Sequence, residues 1–415
     1  MTLDPAVSPL RGLLADDVRV NRLRDVAWLT EYLESGARFG EPIMLGLGET
    51  WSHTPPQLLA ALREVPADSH GYQVSMYGLP PLRRVLKNYV ADTQRLSPEG
   101  RWELAVSWAG TRSVMRDFAA GLPLGTVLAV APAWDYAGVF EPMGFDTSYV
   151  SFDPAERSGP SAERAYAAAS EISGDLAMVV INAQHNPTGA NWSSELVAAL
   201  IEIALGRGAA ILIDDAYYGL CPPELPATSA LEILLTRLAG RPAPIPWLGV
   251  RSLGKQFHCN GWALGTIVAE PELLDELVNE VRPRHAFNYG GALQWAMARW
   301  LRDRQRVEHY LDEERATIAS KRAAVLGWLP PEVASRVIAG PAAPYLLYPV
   351  PAGLDVTEYL RRAAVECGVA LSDAWPLARV GNPTSTGYVR LYLGPELAEL
   401  RTAYERLDRA GLWPA

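Results

Sequence analysis

The sequence predicts an α/β protein: a large, doubly wound, mostly parallel sheet domain followed by a smaller α+β domain. Three observations predict it. At 415 residues the chain suits one large domain plus a smaller one. Between about residues 100 and 265, short apolar runs alternate with stretches of helical periodicity, the order that builds parallel sheets covered on both faces. Past about residue 305 the pattern turns helical and then mixed.

Taken in order, "VNRLRDVAWLTEYLES" has apolar residues at helical spacing and predicts a helix within an N-terminal arm, residues 1–45, that packs on the smaller domain. "FGEPIMLGLGETWSHTPP" reads as a loop into the large domain, residues 46–304. "TVLAVAP" (126–132), "LAMVVINA" (176–183), "AAILIDDA" (209–216) and "WLGVRSL" (247–253) read as buried strands. Between the middle two, "SSELVAALIEIALGRG" reads as a helix capped by Ser193 or Ser194 and ended by glycine. The smaller domain, residues 305–415, opens on the helical "RQRVEHYLDEERATIASKRAAVLGWL" and continues with "APYLLYPV" and "GYVRLYLG".

Composition excludes several function classes. The net charge is −10 and there is no basic run, which argues against nucleic acid or an anionic membrane as partner. The longest apolar runs fall far short of a membrane span. Cys221, Cys259 and Cys367 lie far apart, with neither metal-ligand spacing nor a disulfide framework. The opening "MTLDPAVSPLRGLL" lacks the basic-then-apolar order of a signal peptide. A cytoplasmic protein is expected.

In doubly wound sheets ligands sit beyond the carboxyl ends of the strands, and the polar residues here follow the apolar runs. Trp134 follows the first, Asn186 the second, Asp214 and Tyr217 the third, and Lys255 the fourth. One indole, one amide, one acid, one phenol and one lysine thus converge on one edge. Pyridoxal phosphate (PLP) catalysis needs this set. A lysine amine forms the Schiff base and moves the proton, a carboxylate keeps the pyridine nitrogen protonated, a phenol and an amide hold the ring hydroxyl, and an aromatic face stacks on the ring. The phosphate needs backbone N–H groups at a helix start, and Gly110 and Thr111 open an apparent helix in "WAGTRSVMRDFAAGL".

With these motifs in order, the sequence resembles the fold-type I PLP enzymes, specifically the class I/II aminotransferases of the aspartate aminotransferase superfamily. "SLGKQFHCNGWALG" is most similar to the kynurenine and glutamine-type transaminases, and the resemblance runs from about Gly46 to Arg390. It implies that Lys255 carries PLP, that Asp214 pairs with the pyridine nitrogen, and that Tyr217 and Asn186 hold the ring hydroxyl. It further implies that Trp134 stacks on the cofactor, that Gly110, Thr111 and Ser252 hold the phosphate, and that Arg390 grips the substrate carboxylate bidentately. Gly48 matches a glycine whose backbone approaches the substrate. Tyr72, or else Tyr77, matches a tyrosine sent to the neighbouring subunit's phosphate, which implies a homodimer with shared active sites.

The pattern breaks at Ala263, where these enzymes carry a second cation for the phosphate; Arg251 and Arg112 are the nearest substitutes in sequence. Arg282, Arg284, His285 and Asn288 fall where family members reach into the partner's site, and serve either to read a substrate carboxylate or as surface polar groups. Trp51, Trp134 and Trp262 hint at an aromatic-rich pocket. The expected activity is transfer of an amino group between an α-amino acid and a 2-oxo acid. The alternative is a lyase, cyclase or oxidase of small-molecule biosynthesis using the same first steps. A DNA-binding regulator of the same fold is disfavoured by the acidic charge.

Overall fold

Strand β5 (Leu176–Ile181) shows how the central layer is built. All six of its residues are buried, with Met178 and Val180 in one hydrophobic cluster and Val179 and Ile181 in another on the opposite side. A strand lined with apolar side chains on both faces is stable only between two layers, and each such side chain contributes roughly 1.5–3 kcal/mol. The computed structural model describes residues 24–49, 53–97, 100–151, 159–239, 241–288, 290–374 and 387–413, with side chains from residue 27 onward.

The strands in chain order are β1 (Ile43–Met44), β2 (Glu103–Val106), β3 (Thr126–Val130), β4 (Asp146–Val150), β5 (Leu176–Ile181), β6 (Ala210–Asp214), β7 (Trp247–Ser252), β8 (Gly265–Ala269), β9 (Tyr345–Pro349), β10 (Val369–Ala370), β11 (Ser372–Asp373) and β12 (Tyr388–Tyr392). Seven form one sheet in the order β2-β8-β7-β6-β5-β3-β4. Its pairs are parallel except β2–β8 and β7–β8, so β8 runs against its neighbours. The four strands expected from the sequence, β3, β5, β6 and β7, are neighbours in space. Residues that follow them therefore emerge side by side.

The crossover helix Ser194–Arg207 starts where Ser193 Oγ accepts from the Leu196 N–H (3.1 Å) and ends at Gly208, whose φ of 64° suits glycine. It buries Leu196, Leu200 and Ile203 against the sheet.

A second, antiparallel sheet has the order β11-β12-β9, placing Arg390 in its central strand. The loop read before residue 46 contains β1, which pairs in parallel with β10. A two-residue strand has too little pattern to be read from sequence. Helix Arg24–Glu34 lies on helix Val356–Cys367, where Leu29 and Met44 pack with Ala364 and Ala370. Among the described residues no helix is long and apolar enough to cross a membrane, and no His, Cys, Asp or Glu group is arranged to hold a metal.

Candidate active site

Lys255 stands one turn past β7 in the short helix Leu253–Phe257, whose N-cap is Ser252; the Ser252 hydroxyl accepts from the Lys255 N–H at 3.3 Å. The lysine amine is enclosed and donates to the Gly48 carbonyl at 2.8 Å. Burial lowers its pKa to about 8, with Glu49 opposing the shift and Arg390 adding to it. At pH 7 about a tenth of such amines are unprotonated, against roughly one in three thousand for an ordinary lysine.

Gly48 is required by this approach. A Cβ there would collide with the Tyr345 hydroxyl and would lie 3.3 Å from the Lys255 amine. Tyr345 and Tyr217 share a short hydrogen bond between their hydroxyls. Arg390 lies across the Tyr345 ring, 4.4 Å from its centre, and donates to Asn186 Oδ1 (2.8 Å), the Gly46 carbonyl (2.6 Å) and Ser372 Oγ (3.0 Å). Lys255, Gly48, Tyr217, Asn186 and Arg390 are thus one connected set.

Asp214 ends β6, buried. Its Oδ2 accepts from the Tyr136 hydroxyl at 2.9 Å and its Oδ1 from the Ala216 N–H at 3.3 Å. Burial raises its carboxyl to about 6, and these two hydrogen bonds only partly offset that. The Asn182 side chain ties Asp214 to the next strand end. Its Nδ2 donates to the Asp214 carbonyl at 2.5 Å while its Oδ1 accepts from the Asn186 N–H at 2.8 Å.

Trp134 joins through Tyr136, their rings edge to face at 5.4 Å. Gly110 caps the ten-residue helix Thr111–Ala120 with φ +80°, a conformation open to glycine, and its N–H donates to the Ala263 carbonyl at 3.2 Å. This bond places Ala263 beside the helix start. Arg112 is the second residue of that helix; its guanidinium lies 4.5 Å over the Trp134 ring and reaches Asp135 Oδ2 at 3.1 Å. Arg251, the other cation considered, faces away. It is 2 % exposed, held between the rings of Tyr89 and Tyr218, with bonds to Thr93 and Gln256.

Tyr72 is at the surface, 78 % exposed, with its ring 6.0 Å from that of Phe287. Tyr77 instead donates to Asp275 at 3.0 Å beneath Arg83. Arg282 and Asn288 hold this segment: Arg282 donates to the Met76 carbonyl and Asn288 to that of Ser75 at 2.6 Å. His285 pairs with Asp117 at 3.1 Å, and Arg284 is exposed. Trp262 packs at the edge of the main core, and Trp51 lies outside the described residues.

Tyr136, Asn182, Tyr345 and Ser372 were not foreseen. Tyr136 is two residues past Trp134, but its partner is 78 positions away. Tyr345 stands in "APYLLYPV", which reads only as a segment of the smaller domain.

A family profile described as "Aminotransferase class I and II" matches residues 50–407. An aspartate/prephenate aminotransferase of Thermus thermophilus is 25% identical over 408 residues, 96% of this chain and 99% of that protein. A histidinol-phosphate aminotransferase of Paenarthrobacter aurescens is 28% identical over 240 residues, and that match spans 57% of this chain and 60% of the relative. A solved aspartate aminotransferase of Thermus thermophilus, a double mutant, superposes with a TM-score of 0.77 at 22% identity, covering 93% of this chain and 96% of that one.

Proposed function

Because this chain belongs to the class I and II aminotransferases, we propose that it moves an amino group between an α-amino acid and a 2-oxo acid with PLP carried on Lys255. The observation that supports this most directly is the enclosed Lys255 amine, its pKa lowered to about 8, beside Arg390 and the Tyr217 hydroxyl. When bound, PLP supplies an electron sink for the electrons left on the substrate's α carbon.

The donor set fits that group. Asp214 is a buried acid whose side chain accepts from a phenol and a backbone N–H, an environment that a protonated pyridine nitrogen would complete. Tyr217 and Asn186 are the groups for the ring hydroxyl, and Trp134 offers an aromatic face. Gly110, Thr111 and Ser252 are the phosphate groups, at the start of a ten-residue helix and at the cap of the lysine's helix. For the phosphate's cation we choose Arg112 over Arg251, since Arg251 is committed to the Tyr89–Tyr218 cluster. Arg112→Gln should weaken PLP binding about tenfold in a titration of the cofactor-free protein; unchanged affinity would refute the choice.

Lys255 would move the proton between the substrate's α carbon and the cofactor's aldehyde carbon, a role open to an amine held against the Gly48 carbonyl. Arg390 binds the substrate carboxylate in fork geometry, exchanging the Asn186 and Gly46 acceptors for it. Arg390→Ala should raise KM about 10²-fold or more, with PLP affinity nearly intact. If PLP is lost and KM unmoved, Arg390 lies outside the substrate site.

A second copy of this chain is the partner we read for the surface at Tyr72, with Tyr72 rather than Tyr77 reaching it, since Tyr77 is tied to Asp275. A monomer in sedimentation at active concentrations would remove that reading. Residues 46–304 and 305–415 are read as the large and small domains, with residues 1–45 an arm on the latter. The three buried, unpaired thiols support a cytoplasmic placement.

The deciding experiment adds single amino acids to the PLP-loaded protein and follows the visible spectrum. A transaminase converts the bound aldehyde form to the amine form stoichiometrically, and a 2-oxo acid reverses it. Release of ammonia or peroxide without that reversal would favour elimination or oxidation instead.

A further inference from the structure

Next to Lys255 lies a charged cluster that the chemistry above leaves unused. A cavity of about 10 Å³ has Lys255, Gly48, Asn260, His258, Glu314 and Lys321 in its lining. That is space for about one water, with several polar partners. His258 Nε2 and Glu314 Oε2 are 3.0 Å apart, their side chains only 10% and 18% exposed. His258 follows Lys255 by three residues, whereas Glu314 projects from the long helix Arg304–Trp328. Behind this pair the ring of His53 stands edge-on to that of His258, centres 5.6 Å apart. His53 Nε2 lies 3.0 Å from Glu396 Oε1, a carboxylate 73% exposed. Titratable groups therefore run in contact from solvent to the cavity at the amine.

To act as a base Lys255 must first shed a proton, since at pH 7 most of its amine is protonated, and its side chain is half-buried. Arg390, on its other side, does not take up protons. Tyr217 is held to Tyr345, and burial pushes its phenol well above the ordinary range. Glu49 is the carboxylate whose field raises the amine's pKa. Lys321, which donates to the Gly394 carbonyl at 2.6 Å, and Glu399 near it complete the charges around Glu314. His53 is held by burial below the ordinary imidazole range. At neutral pH its uncharged ring has one nitrogen to accept a proton and one to donate.

Resting on the reading of Lys255 as the reactive amine, we infer that the His258–Glu314 pair exchanges the Lys255 proton with bulk solvent through one cavity water, by way of His53 and Glu396. One proton moves and no electrons do. The Lys255 ammonium gives its proton to the water as the water gives one of its own to the Glu314–His258 pair. The pair then passes one to His53 and Glu396, and the reverse order restores the ammonium.

His258→Gly tests this without straining the backbone, because His258 has φ +48°, which glycine adopts freely. With PLP bound, the single-turnover rate with an amino acid should fall about tenfold or more. Added imidazole should restore it in proportion to concentration, leaving apparent substrate affinity unchanged. An unchanged rate, a loss that imidazole does not restore, or a loss expressed as weaker substrate binding would each overturn the relay. So would a loss in Glu49→Gln with none in His258→Gly. A second measurement needs no cofactor: cyanate carbamylates only unprotonated amines, and its reaction at Lys255 can be mapped by mass spectrometry across pH. In Glu314→Gln the midpoint should fall by about half a unit; no shift means the cavity does not couple the two groups. If Lys255 is not the reactive amine, wild-type protein itself shows no spectral change with amino acids, while the cyanate midpoint still reports the coupling.

Discussion

Lys255→Ala is expected to lower turnover by about 10⁴-fold or more, since it removes the nucleophile and the proton carrier together. The fold should survive. Burial makes the ammonium costly to keep charged, and it donates to the Gly48 carbonyl. The measurement is borohydride reduction followed by peptide mapping. Wild-type protein should retain PLP on the peptide bearing Lys255, whereas the variant should release all of it on denaturation. Turnover by the purified variant at the wild-type rate would end the assignment of Lys255.

The second large effect is at Asp214, where activity and stability should move in opposite directions. In the role proposed for Asp214, Asp214→Asn removes the carboxylate that would hold the pyridine nitrogen protonated and should lower turnover about 10²–10³-fold. In the cofactor-free protein the same change should stabilise. Burial raises the folded carboxyl to about 6, above the 3.8 of an ordinary aspartate, so the native state binds more protons than the unfolded state between those limits. Wild-type stability therefore falls as pH rises from about 4 to 6, a cost on the order of 3 kcal/mol that persists at neutral pH. The variant lacks this cost, so its Tm should exceed that of wild type at pH 7 and the difference should close below about pH 4. A variant less stable than wild type at pH 7 would mean that the bonds from Tyr136 and Ala216 outweigh desolvation.

The sheet and the residues after β3, β5, β6 and β7 were legible because a strand buried on both faces is a run of apolar residues, and a polar residue directly after one stands out. β8 was not, since nothing in "GTIVA" says that it runs against its neighbours. "IDDA" offered two acids, and both are buried: Asp214 faces Tyr136, whereas Asp215 takes a bond from Gln94 at 2.8 Å. Alternation along a strand separates such neighbours only once a face is assigned. The same alternation sends Arg251 away from Ser252. Arg282 and Asn288 could not be told from substrate readers by composition, and contacts made them supports of the Tyr72 segment. His258 and Glu314 are 56 positions apart, and no local pattern joins them.

The stretch from Ile43 to Gly48 pairs with β10, accepts the Tyr392 N–H at Leu45, and offers carbonyls to Arg390 from Gly46 and to Lys255 from Gly48. Its partners lie as far downstream as Tyr392, 347 positions beyond Leu45. At roughly 5–20 residues added per second, this stretch leaves the ribosome tens of seconds before the strand that holds it exists. The pocket is therefore assembled by contacts of very long sequence separation, the kind that forms slowly and last. Until then this stretch is an apolar strand with nothing to pair with, and the pocket is complete only once the strand bearing Arg390 has been made.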